Sequence, residues 1–367
     1  MSNIGDVCRW LDSFAPRHLA ADWDNTGLLL GSESDPCTAI LCCLTVTREV
    51  AEEAIDGGYS LIVSHHPILF KATKSLSAST RDGALPYMLA RSGVAVYSPH
   101  TSFDNCRGGI NDFLADALGL ADVRPLRPKS MPPMCKVVAF VPVGDLEAVR
   151  EAMFAAGAGR IGDYERCSFR TPGTGTFFGT DSTHPAVGQK GRLETVEEVR
   201  LEVVCPTGAL HAVVRAMRAA HSYEEPAFDI YPLAPSPSRE GEGRIGELPE
   251  PVPLGVLAER FKVALNSRAM QRTPDADRPV QRVALACGAA GEFLDDAIRE
   301  NADLFVTGEM RFHDALTARE RGISLLLPGH YDSERPAVER LAARLREAFA
   351  PIPVRPSERE TIPLVGI

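Results

Sequence analysis

The sequence predicts an α/β protein in which one α/β domain is split by an inserted α+β domain. Short apolar runs alternate with helix-patterned segments in the first third of the 367 residues and again in the last third. That is the rhythm of βαβ units and a mostly parallel sheet. The middle of the chain loses this rhythm and follows the order β-α-β-β-α-β of a ferredoxin-like motif. Two proline- and glycine-bearing stretches, Arg124 to Pro133 and Leu233 to Gly243, bracket the middle part and read as linkers. The expected domains are residues 1–125, 126–240 and 241–367, the first and third being halves of one domain.

Each element has a local reason. Ile4 to Phe14 has apolar residues at helical spacing and stops before Pro16. Asp22-Trp-Asp-Asn-Thr-Gly27 is a polar, turn-rich cluster leading into Leu28-Leu-Leu-Gly31. Ala39 to Val46 reads as a strand, with Thr47 capping a helix over Glu49 to Ile55 that Gly57-Gly58 ends. Leu61 to Val63 is a buried strand. After a polar loop come a helix from about Arg81 to Arg91, a strand over Val94 to Tyr97, and a helix from Gly108-Gly109 to about Leu118. In the insert, Val137 to Val141, Val199 to Val204 and Ala227 to Tyr231 read as strands, and Leu146 to Ala156 and Gly208 to Ala220 as helices. The Gly/Thr-rich stretch Arg170 to Gly179 lies between strand-like segments. The last third gives helices over Leu254 to Leu265, Phe293 to Glu300 and Met310 to Arg321. It gives strands over Val283 to Ala286, Leu304 to Val306 and Ile323 to Leu327, and a final helix to about Phe349.

Composition removes several function classes. Hydrophobic content of 44% and charged content of 24% are ordinary for a soluble globular chain. A net charge of −10 argues against a nucleic-acid backbone as the main partner. No apolar run approaches the roughly 20 residues that cross a bilayer. Met1 to Arg9 carries Asp6 and no apolar core, so it is no signal peptide, and a cytoplasmic location is expected. The nine cysteines are odd in number and form no Cys-x-x-Cys, so no cysteine-based zinc site is expected, and Cys42 and Cys43, inside an apolar run, read as small buried hydrophobes in a reducing compartment. No Gly-x-Ser-x-Gly elbow is present, which argues against a serine hydrolase.

The chemistry-bearing residues follow short apolar strands. Ser64-His-His-Pro67 closes the strand Leu61 to Val63. Adjacent strand residues face opposite ways, so His65 and His66 serve one site only if the strand breaks there, and Pro67 supplies the break. A second strand end carries His100 and Asp104, a third His330 and Glu334. Three such ends meeting at one sheet edge offer more nitrogen and oxygen ligands than the three of a catalytic zinc site. The number suits two metals that share carboxylates, and the donor types suit Zn, Fe, Mn or Co. Bland readings stand beside these. Glu334 alone is an acid favoured by a helix dipole, Asp104 a turn carboxylate, and His100 a loop histidine, a hydrogen-bond partner of a ligand or a proton carrier. With Pro336 expected in a first helical turn and Asp332 or Ser333 as N-cap, His330 is expected in the loop and Glu334 at the helix start. Asp24 and Asn25 read as groups that hold the ligand side chains in place or as a plain turn, and Glu309 as a residue of the pocket or a helix cap. Gly288-Ala-Ala-Gly291 reads as a phosphate-cradling turn or a close-packed strand-helix turn.

Taken together, these motifs resemble the Nif-three-like family of dinuclear-metal proteins, often labelled GTP cyclohydrolase type-two-like. The matching pieces are Asp24-Asn-Thr-Gly-Leu28, Ser64-His-His-Pro67, His100-Thr-Ser-Phe-Asp104, Gly308-Glu309, and Gly329-His330 followed by Glu334. In the insert they are Gly157-Ala-Gly-Arg-Ile-Gly162, Ser168 to Phe177 and His221-Ser-Tyr-Glu-Glu-Pro226. The resemblance implies that His65, His66, Asp104, His330 and Glu334 ligate two divalent transition-metal ions. It also implies a toroidal homohexamer and an insert of the PII/CutA-like kind. Many relatives carry Asp where this chain reads Leu44-Thr45. Two functions are expected from this. One is a metal-dependent hydrolase acting on a nucleotide, with His100 as its catalytic proton carrier. The other is a non-enzymatic metal-handling or regulatory hexamer with the insert as a small-ligand sensor.

Overall fold

The computed structural model describes residues 2–130, 133–162, 164–234 and 237–364. The chain forms two compact units, Met1–Lys129 with Ser238–Ile367, and Ser130–Pro237. The first stretch contains α1 (Ile4–Phe14), β1 (Gly27–Leu30), β2 (Ile40–Cys43), α2 (Arg48–Asp56), β3 (Leu61–Ser64), α3 (Ala84–Arg91), β4 (Ala95–Ser98), α4 (His100–Asn105), α5 (Ile110–Leu118), β5 (Ala121–Arg124) and β6 (Arg127–Ser130). The insert contains β7 (Met134–Pro142), α6 (Leu146–Ala155), β8 (Phe169–Phe178), β9 (Leu193–Pro206), α7 (Leu210–Ala220) and β10 (Phe228–Pro232). The last stretch contains β11 (Pro237–Glu242), β12 (Arg244–Pro253), α8 (Leu254–Ala264), β13 (Gln271–Arg272), β14 (Pro279–Ala286), α9 (Leu294–Arg299), β15 (Leu304–Thr307), α10 (Phe312–Glu320), β16 (Ser324–Leu327), α11 (His330–Ala348) and β17 (Val354–Pro356). Among the described residues no helix is long and apolar enough to cross a membrane.

The split unit holds two large sheets where one mostly parallel sheet was expected. One runs β1-β4-β3-β2-β17, parallel except for β1 at its edge. The other runs β13-β16-β15-β14-β12-β5, with only β14, β15 and β16 parallel. Strand rhythm does not encode which sheet a strand joins. The last strand, β17, returns to pair with β2 and closes that edge of the first sheet. Every residue of β3, β4 and β15 is buried or nearly so, as expected of strands covered on both faces. Val63 of β3, Leu114 of α5, Val306 of β15 and Leu341 of α11 belong to one buried cluster, so the helices between the sheets weld them into one core.

Local sequence explains the element ends that bear on the site. Asn3 and Asp6 exchange side-chain hydrogen bonds with each other's backbone N–H, both 2.8 Å, a capping box that starts α1. Thr47 caps α2 through Val50 N–H. The strand expected over Ala39 to Val46 stops at Cys43, because the Glu360 carboxylate accepts the Leu44 and Thr45 N–H groups at 2.9 and 2.6 Å in place of a ladder partner. The stretches read as linkers contain β6 and β11, which pair with each other, and the first begins at the last residue of β5; residues 131–132 and 235–236 of those stretches lie outside the described residues.

The insert has an antiparallel sheet in the order β10-β7-β9-β8 and two helices, the expected β-α-β-β-α-β sequence of elements. Its core gathers Val137, Val149, Leu201, Val213 and Met217. The Gly/Thr-rich stretch is itself strand β8, paired along its whole length with β9.

Arg244 is the largest fully buried side chain and ties the start of β12 to the segment that carries the second strand end. Its guanidinium donates to the Asp112 carboxylate and to the carbonyls of Gly241 (2.8 Å), Gly243 (2.7 Å), Asn105 (3.2 Å) and Cys106 (3.0 Å). Removing a buried charged donor orphans all of these acceptors. Arg244→Ala is expected to lower the unfolding free energy by about 3–5 kcal/mol in urea titrations. A loss under about 1 kcal/mol would show that these bonds carry little.

Candidate metal centre

The tandem histidines are held by backbone bonds that outlast the strand. His65 N–H donates to Cys43 O (2.9 Å) and His66 N–H to Leu44 O (2.8 Å), continuing the β2–β3 pairing one step past Ser64. The Ser98 hydroxyl donates to the His65 carbonyl and the Ser64 hydroxyl to the His66 carbonyl. The strand ends here, so both rings turn to one side, with centroids 5.0 Å apart. His65 is buried and His66 partly so. His66 Nδ1 lies 2.7 Å from the Thr45 hydroxyl. Thr45 therefore orients that ring.

The second strand end is helical. His100 opens α4 at φ +33°, outside the ordinary helical range, and Asp104 sits one turn later on the same helix, not in a turn as its bland reading had it. Asn111 Nδ2 donates to the Asp104 carbonyl, and Asn111 Oδ1 accepts Cys287 N–H. The Cys287 thiol stands beside the Asp104 carboxylate.

The third strand end corrects an expectation. His330 is not a loop residue: it begins α11, and His330 and Glu334 form a regular i,i+4 pair with Nε2 3.1 Å from Oε2. Ser333 N–H bonds to Gly329 O (3.0 Å) and the Ser333 hydroxyl to His330 O (2.7 Å), so the helix starts at His330, before Ser333, and Pro336 falls inside it. Gly329, at φ +95°, makes the entry turn. Gly288 explains why Gly288-Ala-Ala-Gly291 is a close-packed turn: a Cβ there would lie 2.5 Å from Glu334 Oε1, and its φ is +64°. Glu309 does not cap α10; its carboxylate lies 3.6 Å from His330 Nδ1.

Three strand ends from two sheets thus meet in one cavity of about 480 Å³, whose lining includes His66, His100, Asp104, His330 and Glu334. Glu334 Oε2 is 3.1 Å from His66 Nε2 and 3.9 Å from His65 Nε2, and His65 Nε2 is 3.5 Å from Asp104 Oδ1. Two groupings bring ligand atoms within 4.8 Å of one another, His65-His66-His100 and His66-His330-Glu334, and share His66. Both ring nitrogens of His65, Asp104 Oδ1 and Glu334 Oε2 are buried without a hydrogen-bond partner among the described residues. Buried polar atoms are nearly always paired, so a cluster of orphans needs an occupant. Imidazole and carboxylate donors fit a divalent transition metal.

Electrostatics agree. Burial drives the His65 imidazole well below its ordinary value, leaving it neutral and free to donate a lone pair. Burial pulls the Glu334 carboxyl up, yet His330 and His66 beside it hold it below the usual carboxylate range. Burial, with the Glu334 carboxylate next to it, pushes Asp104 up to about 7. Sequence reasoning missed Cys287, Asn111, the role of Thr45, and an aromatic rim in which Trp23 and Phe70 meet edge to face at 5.9 Å, each about 6 Å from the His100 ring. None of these carries a local signal, because each acts through a partner distant in the chain.

Comparison with known proteins agrees with the resemblance read from the motifs. The sequence matches the family described as Duf34/NIF3 (NGG1p interacting factor 3) over residues 2–363. It is 37% identical over 330 residues to the "GTP cyclohydrolase 1 type 2 homolog" of Halalkalibacterium halodurans, covering 90% of this chain and 89% of that one. It is 39% identical over 357 residues to the protein of the same name from Mycobacterium tuberculosis, covering 96% and 94%. The crystal structure of a Bacillus cereus protein related to NIF3 superposes with a TM-score of 0.82 at 35% identity, over 100% of this chain and 99% of that one.

A raised carboxyl in the folded state keeps its proton where the unfolded chain has lost it. Metal-free protein therefore loses the Asp104 share of its stability as pH rises from about 4 to about 7. Asp104→Asn removes this dependence. The stability of metal-free wild type minus that of the variant, from urea titrations, is expected to fall across that interval; a flat difference contradicts the reading.

Proposed function

Since the chain belongs to the Duf34/NIF3 family, we propose that this centre is a dinuclear metal site of a hydrolase acting on a nucleotide. The observation that carries the reading is the set of enclosed, unpartnered donor atoms on His65, Asp104 and Glu334 around one cavity. His65, His66, Asp104, His330 and Glu334 would hold two divalent ions of Zn, Fe, Mn or Co, with Glu334 central because all three imidazoles reach its Oε2. Bound there, the pair supplies Lewis acidity and lowers the pKa of a water.

The chain's own residues supply the rest. His100 carries a proton between the water and the leaving group. The exposed faces of Trp23 and Phe70 at the rim suit a planar base, and the cavity is of the size that holds a small molecule. The relatives' name makes GTP, opened at its base, the first substrate to try. A toroidal homohexamer with a PII/CutA-like insert belongs to the same reading, and in the metal-handling alternative that insert is a small-ligand sensor. The β-α-β-β-α-β order supports the ferredoxin-like fold of the insert.

Elemental analysis of protein purified without added metal is expected to find about two transition-metal ions per chain. His65→Ala and Glu334→Ala should each lose most of that metal and the turnover of GTP by the loaded protein. Metal at full occupancy with no turnover of any nucleotide, phosphoester or amide would favour the metal-handling alternative. Absence of metal would end both.

A further inference from the structure

Asp24 lies beside the cavity with no exposed side-chain surface, and its bonds go to His100 and Thr101 of the cavity wall and to Asn25. Its Oδ1 lies 2.6 Å from His100 Nδ1 and accepts Asn25 N–H at 2.7 Å. Its Oδ2 accepts Thr101 N–H at 3.1 Å and the Thr101 hydroxyl at 2.5 Å. The Thr101 hydroxyl is fixed in turn, because its oxygen accepts Ala21 N–H at 2.9 Å. Four donors from two chain segments are thus aimed at one enclosed carboxylate, at the point where His100 sits in an unfavourable backbone conformation.

We infer that Asp24 is a positioning residue that fixes the tautomer of His100, presenting Nε2 to the cavity as an unprotonated acceptor. An ionised carboxylate only accepts hydrogen bonds, so the nitrogen facing it must carry the proton. Against the upward pull of burial, His100 and Thr101 hold the Asp24 carboxyl below its ordinary value, which keeps it ionised. With Nδ1 committed to Asp24, Nε2 is the nitrogen left to face His65 and His66, whose ring centroids are 5.2 and 5.6 Å from that of His100.

The tautomer rests on these bonds alone, while the chemical role rests on the hydrolase reading. In that role His100 acts first as base. A water gives one proton to Nε2 as its oxygen bonds to the electrophilic carbon or phosphorus. The imidazolium so formed faces the Asp24 charge. The same proton then passes to the leaving group as its bond breaks, returning His100 to the starting tautomer.

Solid-state NMR of the full chain, labelled with ¹⁵N-histidine and sedimented, tests this at any assembly size, with His100→Gln to assign the signal. The expected spectrum of wild type shows His100 with one protonated nitrogen, bonded to a carboxylate, and Nε2 unprotonated. Adding Zn²⁺ should shift His65, His66 and His330 and leave His100 Nε2 in place. Asp24→Asn should mix the two tautomers, keep the zinc content, and lower nucleotide turnover roughly 100-fold. A protonated Nε2 in wild type would overturn the inference. So would an Nε2 signal that moves on zinc binding, which would make His100 a ligand, or an unchanged tautomer in Asp24→Asn. Failure of zinc to move His65, His66 and His330 would count against the hydrolase reading alone, with the wild-type tautomer still readable.

Discussion

The carboxylate of Glu334 is the constraint around which the split unit is built. It is buried with 4% of its side chain exposed, and its Oε2 accepts no directed hydrogen bond among the described residues. An ionised carboxylate without partners is costly in a protein interior. Three imidazoles stand within 4 Å of that oxygen; burial keeps His65 neutral, while the neighbouring Glu334 carboxylate raises the imidazole of His330 above its ordinary value. A cation held there, as proposed, would complete the balance, and the surrounding chain keeps the space open. Gly288 has no side chain where a Cβ would strike Glu334, and Gly308 none where a Cβ would meet Ser333 Oγ and the Gly288 carbonyl.

The fold delivers this arrangement by division of labour. The first sheet supplies His65 and His66 directly from the end of β3, and His100 and Asp104 from the short helix that follows β4. The second sheet supplies His330 and Glu334 from the start of α11, just after β16. The common core that includes Val63, Leu114, Val306 and Leu341 holds the two sheets in register. Ligands placed at the carboxyl ends of strands cost the sheets nothing, since the ladder is complete before the chain turns into the cavity. Around the donors lies a second layer fixed by hydrogen bonds: Thr45 on His66, Asp24 on His100, and Asn111 joining Asp104 to Cys287.

Much of this was legible in the sequence where the signal is local. His65 and His66 stood out because two histidines and a proline close an apolar strand, and the strand does end there. The insert showed itself by a change of rhythm, and its helices and inner strands lie close to where pattern placed them. Other features depend on contacts that no local pattern records. The start of α11 was placed too late because Pro336 usually sits in a first turn, whereas the bonds from Ser333 to Gly329 and His330 begin the helix earlier. One sheet became two because rhythm counts strands and not their partners. Asp24 read as either a supporting group or a plain turn, and Thr45 as part of a strand; what distinguishes them is a bond to a histidine 76 positions away for Asp24 and 21 for Thr45.

The most direct measurement is anomalous diffraction from crystals of protein purified without added metal, collected on either side of the absorption edges of zinc, iron, manganese and cobalt. The account predicts two peaks per chain inside the cavity, among His65, His66, Asp104, His330 and Glu334. Peaks absent from the cavity, or metal bound only at surface residues, would contradict it.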